Sequence, residues 1–189
     1  YYTESDFTGR IKAERFDFMK KLLVVVDMQN DFIYGSLGTN EARAIVPAVV
    51  DKVRQAKAES IDIFFTQDTH TKEYLSTQEG KNLPVQHCIK PEKGWDICLE
   101  LQAYIEGEKC IEKPSFGSVD LAKAAALYDE ITLVGLCTDI CVISNALLLK
   151  SFYPEKQILV DSRCCAGVTQ ESHRNALAAM KMCQINILS

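Results

Sequence analysis

Residues 21–32 read KLLVVVDMQNDF: an unbroken apolar run at 22–26, then Asp27 and a short polar stretch. A strand that is apolar on both of its faces belongs to a sheet covered on both sides. The polar stretch also excludes a class of ligand. Asp27, Met28, Gln29, Asn30 and Asp31 stand where a nucleotide-binding turn would be rich in glycine. Working outward, similar short apolar runs recur at 61–66, 110–112, 131–135, 157–160 and 185–188. Amphipathic stretches at 47–58, 97–105, 119–128, 139–152 and 171–182 separate them, with Pro47 suited to a first helical turn and Thr169 or Gln170 to the start of the last helix. Alternation of this kind predicts an α/β fold, a three-layer αβα sandwich around a mostly parallel six-stranded sheet of Rossmann-like type, with ligands at the carboxyl ends of the strands. The irregular span at 67–95 is too long to be a mere connection and is expected to be functional.

The chain of 189 residues, 47% hydrophobic and 25% charged with 9 Gly and 5 Pro, suits one globular core. The expected division is an N-terminal extension at 1–18, aperiodic and aromatic, and a single domain at 19–189, with Met19 reading as a natural start. No apolar run approaches the roughly 20 residues that span a bilayer, and no export leader is evident, so a cytoplasmic protein without a membrane partner is expected. A formal charge of -5 with bases and acids interspersed argues against a nucleic-acid partner. Eight cysteines lie scattered through apolar stretches, as Cys98, Cys110 and Cys183 do, and are read as reduced packing residues rather than a disulfide framework.

Reactive groups collect at the predicted strand ends. Asp27 closes the first strand, Asp68 follows the second, Lys113 the third, and Gly135, Leu136, Cys137, Thr138, Asp139, Ile140 and Cys141 the fourth. Acid, amine and thiol meeting on one rim make a centre in which a carboxylate takes the thiol proton and an ammonium stabilises the charge. Cys141 is placed in the first turn of the helix at 139–152, where backbone N–H groups are expected to lower its pKa. Asp68, His70 and His87 form a second set that can hold Zn²⁺, Fe²⁺ or Mn²⁺ with positions left open; Cys88, beside His87, is read as packing. A thiol switch using Cys137 and Cys141, and a binding module without catalysis, are the readings from other classes.

These residues resemble the isochorismatase-like cysteine hydrolases, and within them the nicotinamidase group, over nearly the whole chain from Lys21 onward. Asp27 to Phe32 is similar to the family's opening motif, Asp68-Thr69-His70 with His87 to its metal loop, Lys113 to its lysine, and Gly135 through Val142 to its nucleophile motif. The resemblance implies the isochorismatase-like hydrolase fold, catalytic Asp27, Lys113 and Cys141, and an oxyanion hole from the backbone N–H groups of Cys137 and Cys141. It also implies a cis peptide at Leu136-Cys137, ring contact from Phe32, and a divalent ion, zinc before iron or manganese, on Asp68, His70 and His87. The implied reaction converts nicotinamide and water to nicotinate and ammonia through a cysteine thioester; hydrolysis of another small amide or ureide, such as biuret or an N-carbamoyl compound, is the alternative. A homo-oligomer is implied as well. The chain departs from the pattern at Thr69, where an aromatic residue is usual, and around His87; Trp95 and Phe116, with Tyr34, are the candidates for the missing ring contacts.

Overall fold

The computed structural model describes residues 19–189, and the extension expected at 1–18 lies outside the described residues. Six strands, β1 (Lys21–Val26), β2 (Asp62–Asp68), β3 (Lys109–Lys113), β4 (Glu130–Leu136), β5 (Gln157–Ala166) and β6 (Asn186–Leu188), form one sheet in the order β3-β2-β1-β4-β5-β6. Every neighbouring pair is parallel, so the sheet is more uniform than the mostly parallel one predicted. The helices are α1 (Asn30–Ile33), α2 (Asn40–Ala58), α3 (Gln78–Asn82), α4 (Leu99–Gln102), α5 (Val119–Ala124), α6 (Ile143–Phe152) and α7 (Gln170–Met182). Alternate residues of β1 feed two cores: Leu23 and Val25 pack with α2 and α4, and Leu22, Val24 and Val26 with α5, α6 and α7. Burial of an all-apolar strand on both faces is what commits the chain to three layers. No helix among the described residues is long and apolar enough to cross a membrane.

Several elements end elsewhere than predicted. Helix α2 starts at Asn40, where the Thr39 hydroxyl accepts from the Ala42 N–H, and so carries Pro47 in its interior. Pro47 is exposed, which leaves the Arg43 carbonyl it cannot serve free to meet water, while Ala42, Ile45, Val46 and Val49 continue the buried stripe across it. The helix predicted at 97–105 shrinks to α4, and that at 119–128 finishes in a tighter 3₁₀ turn at Ala125–Leu127. Strand β5 runs six residues further than its apolar segment because its later half pairs with β4 across a register shift. Its buried Asp161 holds β5 to α2: Lys52 lies 3.0 Å from Oδ2, and the Arg163 guanidinium donates to both carboxylate oxygens.

The order places a topological switch between β1 and β4, the strands from which the chain proceeds in opposite directions, and crevices form at such points. There β1 and β4 approach closely at Gly135, which lies opposite Val26 at φ +111°. A Cβ on Gly135 would meet the Val26 carbonyl oxygen at 2.1 Å. Gly135→Ala should therefore cost about 3 kcal/mol or more, from backbone strain and overpacking together, read as a lowered denaturation midpoint. A second expectation concerns Asp161. Burial opposes its charge, but Arg163 and Lys52 win and hold its pKa below the ordinary carboxylate value of 3.8. Its folded pKa being the lower one, its contribution is complete above the unfolded value and fades as pH falls through the folded one. Asp161→Asn should lower stability at neutral pH by about 1–3 kcal/mol, and the gap between variant and parent should close in denaturation curves taken below pH 3.8.

Candidate active site

Strand register builds the site. Asp68 and Lys113 are direct partners across β2 and β3, and Val26 faces both Thr66 and Gly135, so Asp27 leaves β1 beside the ends of β2 and β4. Asp27 then turns into a left-handed conformation, φ 47°, while its Oδ1 accepts from the Thr66 hydroxyl at 2.6 Å. Lys113, 1% exposed, reaches under the rim: its Nζ lies 2.7 Å from Asp27 Oδ2 and 3.3 Å from Asp68 Oδ1, and donates to the Ser115 carbonyl at 3.1 Å and to Cys141 Sγ at 3.4 Å. The structure thus brings Asp27, Lys113 and Cys141 to one point.

Cys141 arrives by a route only partly expected. The peptide Leu136-Cys137 is cis, as the resemblance implied, but Cys141 lies in a widened π-helical turn, Thr138–Val142, ahead of α6 rather than in the first α-helical turn. The Cys137 carbonyl accepts from the N–H groups of Ile140 and Val142. Two contacts bolt this turn to the start of α7: the Thr138 hydroxyl to His173 Nδ1 at 2.8 Å, and the Asp139 carboxylate to the Val168 N–H.

The electrostatics correct the expectation of a depressed thiol pKa. Burial, and next the Asp27 charge, push the Cys141 thiol well above its ordinary value, with Lys113 opposing. Burial raises Asp27 too, Lys113 again opposing, whereas Lys113 is driven up by Asp27, Cys141 and Asp68 against its own burial. One cation already answers two carboxylates here, and a free thiolate would add a third anion. Burial and the crowding of negative charge both favour the protonated thiol, with the Lys113 ammonium opposing the upward shift of each acid.

Beside it stands a group of potential metal ligands: Asp68, His70, Glu79 and His87, with one donor atom from each lying within 4.8 Å of the others. His70 Nε2 is buried and without a hydrogen bond, although it is 2.9 Å from Asp68 Oδ2. His87 donates through Nδ1 to the Val85 carbonyl at 2.8 Å, which leaves Nε2 as a lone pair facing the same point. Two imidazole lone pairs and two carboxylates around one point suit a divalent ion, so the residues fit the implied cofactor. Burial opposes the charge of Asp68, but His70, His87 and Lys113 hold its pKa well below the usual range. Glu79 was missed by the sequence reading. It sits in the first turn of α3, capped by Thr77, within the irregular span flagged as functional, and no spacing relative to His70 or His87 marked it out.

The irregular span is held by the opening motif. Gln29 gives its amide N–H to the carbonyls of Asp68 and Trp95 and accepts from the Asp68 N–H; Asn30 binds the Lys93 carbonyl; Asp31 accepts from the Cys88 N–H. The middle residues of the opening motif are thus loop fasteners. A cleft of about 360 Å³, its open mouth included, touches both groups: Phe32, Leu37, Leu83, Phe116 and Ile140 wall it together with Cys137 and Cys141 and with Asp68, Glu79 and His87. Phe32 packs against the His87 ring at 5.5 Å. Trp95 requires a correction: it does not line this cleft, because its indole N–H donates to the Thr69 hydroxyl at 2.9 Å and Lys90 stands over its ring. Tyr34 is likewise turned away, donating to Glu100.

Comparison with known proteins agrees with this picture. The isochorismatase domain family matches residues 21–189. The uncharacterized isochorismatase family protein PncA of Bacillus subtilis is 28% identical over 174 residues, covering 85% of this chain and 93% of its own. The nicotinamidase of Saccharomyces cerevisiae is 25% identical, covering 75% of this chain and 86% of its own. The crystal structure of the Pyrococcus horikoshii pyrazinamidase in complex with zinc superposes with a TM-score of 0.79 at 26% identity, covering 90% of this chain and 99% of that one. If Asp68, His70, Glu79 and His87 are the ligands here, His70→Ala combined with His87→Ala should remove bound divalent metal, and Glu79→Gln should weaken zinc affinity at least about tenfold. Elemental analysis and competition with a chromogenic chelator read both, and an unchanged metal content would place the ligands elsewhere.

Proposed function

The chain belongs to the isochorismatase family and is an amide-hydrolysing enzyme, and from that premise we propose that it is a nicotinamidase acting through a thioester on Cys141. The observation that carries the reading is the placement of the buried Lys113 ammonium, 2.7 Å from Asp27 Oδ2 and 3.4 Å from Cys141 Sγ. The ammonium keeps carboxylate and sulfur within reach of one another and offsets the charge that passes between them.

In the proposed reaction Asp27 takes the thiol proton as sulfur attacks the carboxamide carbon, so that no free thiolate has to persist in the buried site. The negative oxygen of the tetrahedral intermediate turns to the backbone N–H groups of Cys137 and Cys141, in the role of an oxyanion hole. Asp27 passes its proton to the leaving nitrogen, the C–N bond breaks and ammonia departs, leaving the acyl group on sulfur. Asp27 then takes a proton from water as the water attacks the thioester; the C–S bond breaks, the sulfur recovers a proton and nicotinate is released. Lys113 remains charged throughout. Phe32 and Phe116 confine a flat ring between them, which orients the amide toward Cys141. Asp68, His70, Glu79 and His87 would hold a divalent ion, zinc first, and when bound it supplies a Lewis-acidic anchor for a ring nitrogen.

The lining favours this substrate among the family's small amides and ureides. Phe32, Leu37, Leu83, Phe116 and Ile140 give the cleft apolar walls, which suit the faces of a neutral heteroaromatic ring better than a small, wholly polar ureide. The eight free cysteines suit a reducing compartment, and the reaction is assigned to the cytoplasm.

Ammonia release should be measured from nicotinamide, pyrazinamide, an N-carbamoyl amino acid and biuret, with the nicotinamide rate expected to lead. Cys141→Ala should reduce it by more than about 10⁴-fold while leaving the circular dichroism spectrum unchanged. Turnover retained in that variant would remove Cys141 from the reaction.

A further inference from the structure

Asn145 is a fully buried polar residue of α6, one turn beyond Cys141, to which the proposed reaction gives no part. Its carboxamide makes three hydrogen bonds. Oδ1 accepts from the Ser118 N–H at 2.9 Å, and Nδ2 donates to the Phe116 carbonyl at 3.1 Å and to the Cys141 carbonyl at 2.8 Å. Because only the NH₂ end can serve two carbonyls and only the oxygen can serve an N–H, the orientation of the amide is fixed.

Each partner has a place in the site. Between β3 and α5 the chain passes through Ser115, whose carbonyl accepts from Lys113 Nζ, and Phe116, whose side chain walls the cleft while remaining 43% exposed. Gly117 lies flat on α6, where an added Cβ would stand 3.6 Å from the Ser144 side chain. A bond to the Cys141 carbonyl alone would be an ordinary side-chain contact within one helical turn. The other two reach a loop 27 and 29 residues away in sequence, so a single planar group spans the nucleophile's backbone and the opposite wall.

We propose that Asn145 is a positioning residue that clamps the Phe116 wall to the backbone of Cys141 and so sets the width of the cleft for a flat substrate. The proposal rests on the reading of Cys141 as the nucleophile. Loop anchoring for stability alone predicts a weaker fold and nothing more; a clamp predicts that the loss is felt at the cleft, through Phe116.

The test uses the full chain as parent, Asn145→Ala, Phe116→Ala and the double variant, with Asn145→Ser carrying the same measurements should Asn145→Ala not fold. Three quantities are read at a temperature where all are folded: KM and kcat for nicotinamide, the rate of Cys141 alkylation by iodoacetamide followed by peptide mass, and the thermal midpoint. Asn145→Ala should raise KM about tenfold, as expected for losing the hydrogen bonds that hold the loop, and should speed alkylation of Cys141, which is 5% exposed in the parent. In the Phe116→Ala background the same substitution should add little to either, since the two act as one unit. A lowered midpoint with KM and alkylation unchanged, or fully additive effects, would overturn the clamp. A parent that releases no ammonia from nicotinamide would instead sink the substrate reading, and the alkylation rates of the four proteins would still decide the role of Asn145.

Discussion

A buried ammonium organises this protein. Lys113 has no water to solvate it and finds its compensation in two carboxylates, a carbonyl and a sulfur, supplied by the ends of β1 and β2, the loop after β3 and the turn after β4. Leaving such a charge unpaired costs roughly 3–5 kcal/mol, so each partner is held in place by the others. The constraint reaches back into the sheet. Asp68 opposes Lys113, and Val26 opposes Thr66, only in the observed registers of β2 with β3 and of β1 with β2. A slip of one residue would turn Asp68 or Lys113 to the wrong face. A strand apolar on both faces would stay covered after such a slip, so here the site chemistry specifies a register that the apolar pattern alone leaves loose.

Asp68 joins two groups that a list of residues would keep apart. One oxygen lies against Lys113, and the other faces His70 and His87. A single carboxylate thus forms the boundary between the nucleophile's group and the ligand group. Cys141 and the ligand group therefore line one cleft, and in the proposed reaction the substrate presents its amide to the first and a lone pair to the second. The fastening of the 67–95 span by Gln29, Asn30 and Asp31 serves the same end, since it ties His70 and His87 to the strand that supplies Asp27.

The sheet was legible because strands covered on both faces are nearly all apolar, as the run at 22–26 is throughout and that at 131–135 is apart from Thr132. The convergence of Asp27, Lys113 and Cys141 was legible for a related reason: parallel strands deliver the residues after them to one rim, so position along the chain translates directly into position in space. What escaped depended on contacts that loops make after folding. Glu79 comes near His87 only because α3 is set down inside the irregular span. Trp95 had the right chemistry for a ring contact and the wrong neighbour, since Thr69, the residue that departs from the family pattern, offers its hydroxyl to the indole. Helix α2 could pass through Pro47 because its outer face is wet, and exposure is not written in the local sequence.

The thiol itself shows how far local reasoning can mislead. A cysteine near a helix start with a lysine at hand looks primed for ionisation, yet burial, and next the Asp27 charge, outweigh the lysine and push the thiol pKa up. Burial raises Asp27 in the same direction, and Lys113 lowers both. Raised together beside one ammonium, both acids resist giving a proton up to water. In the proposed reaction deep burial then has a chemical use: it withholds a free thiolate from solvent and oxidants until Asp27 takes the proton as the sulfur meets a carbonyl carbon. What the geometry offers such a reaction is proximity: one ammonium, 2.7 Å from the Asp27 carboxylate and 3.4 Å from the sulfur, holds both groups beside it.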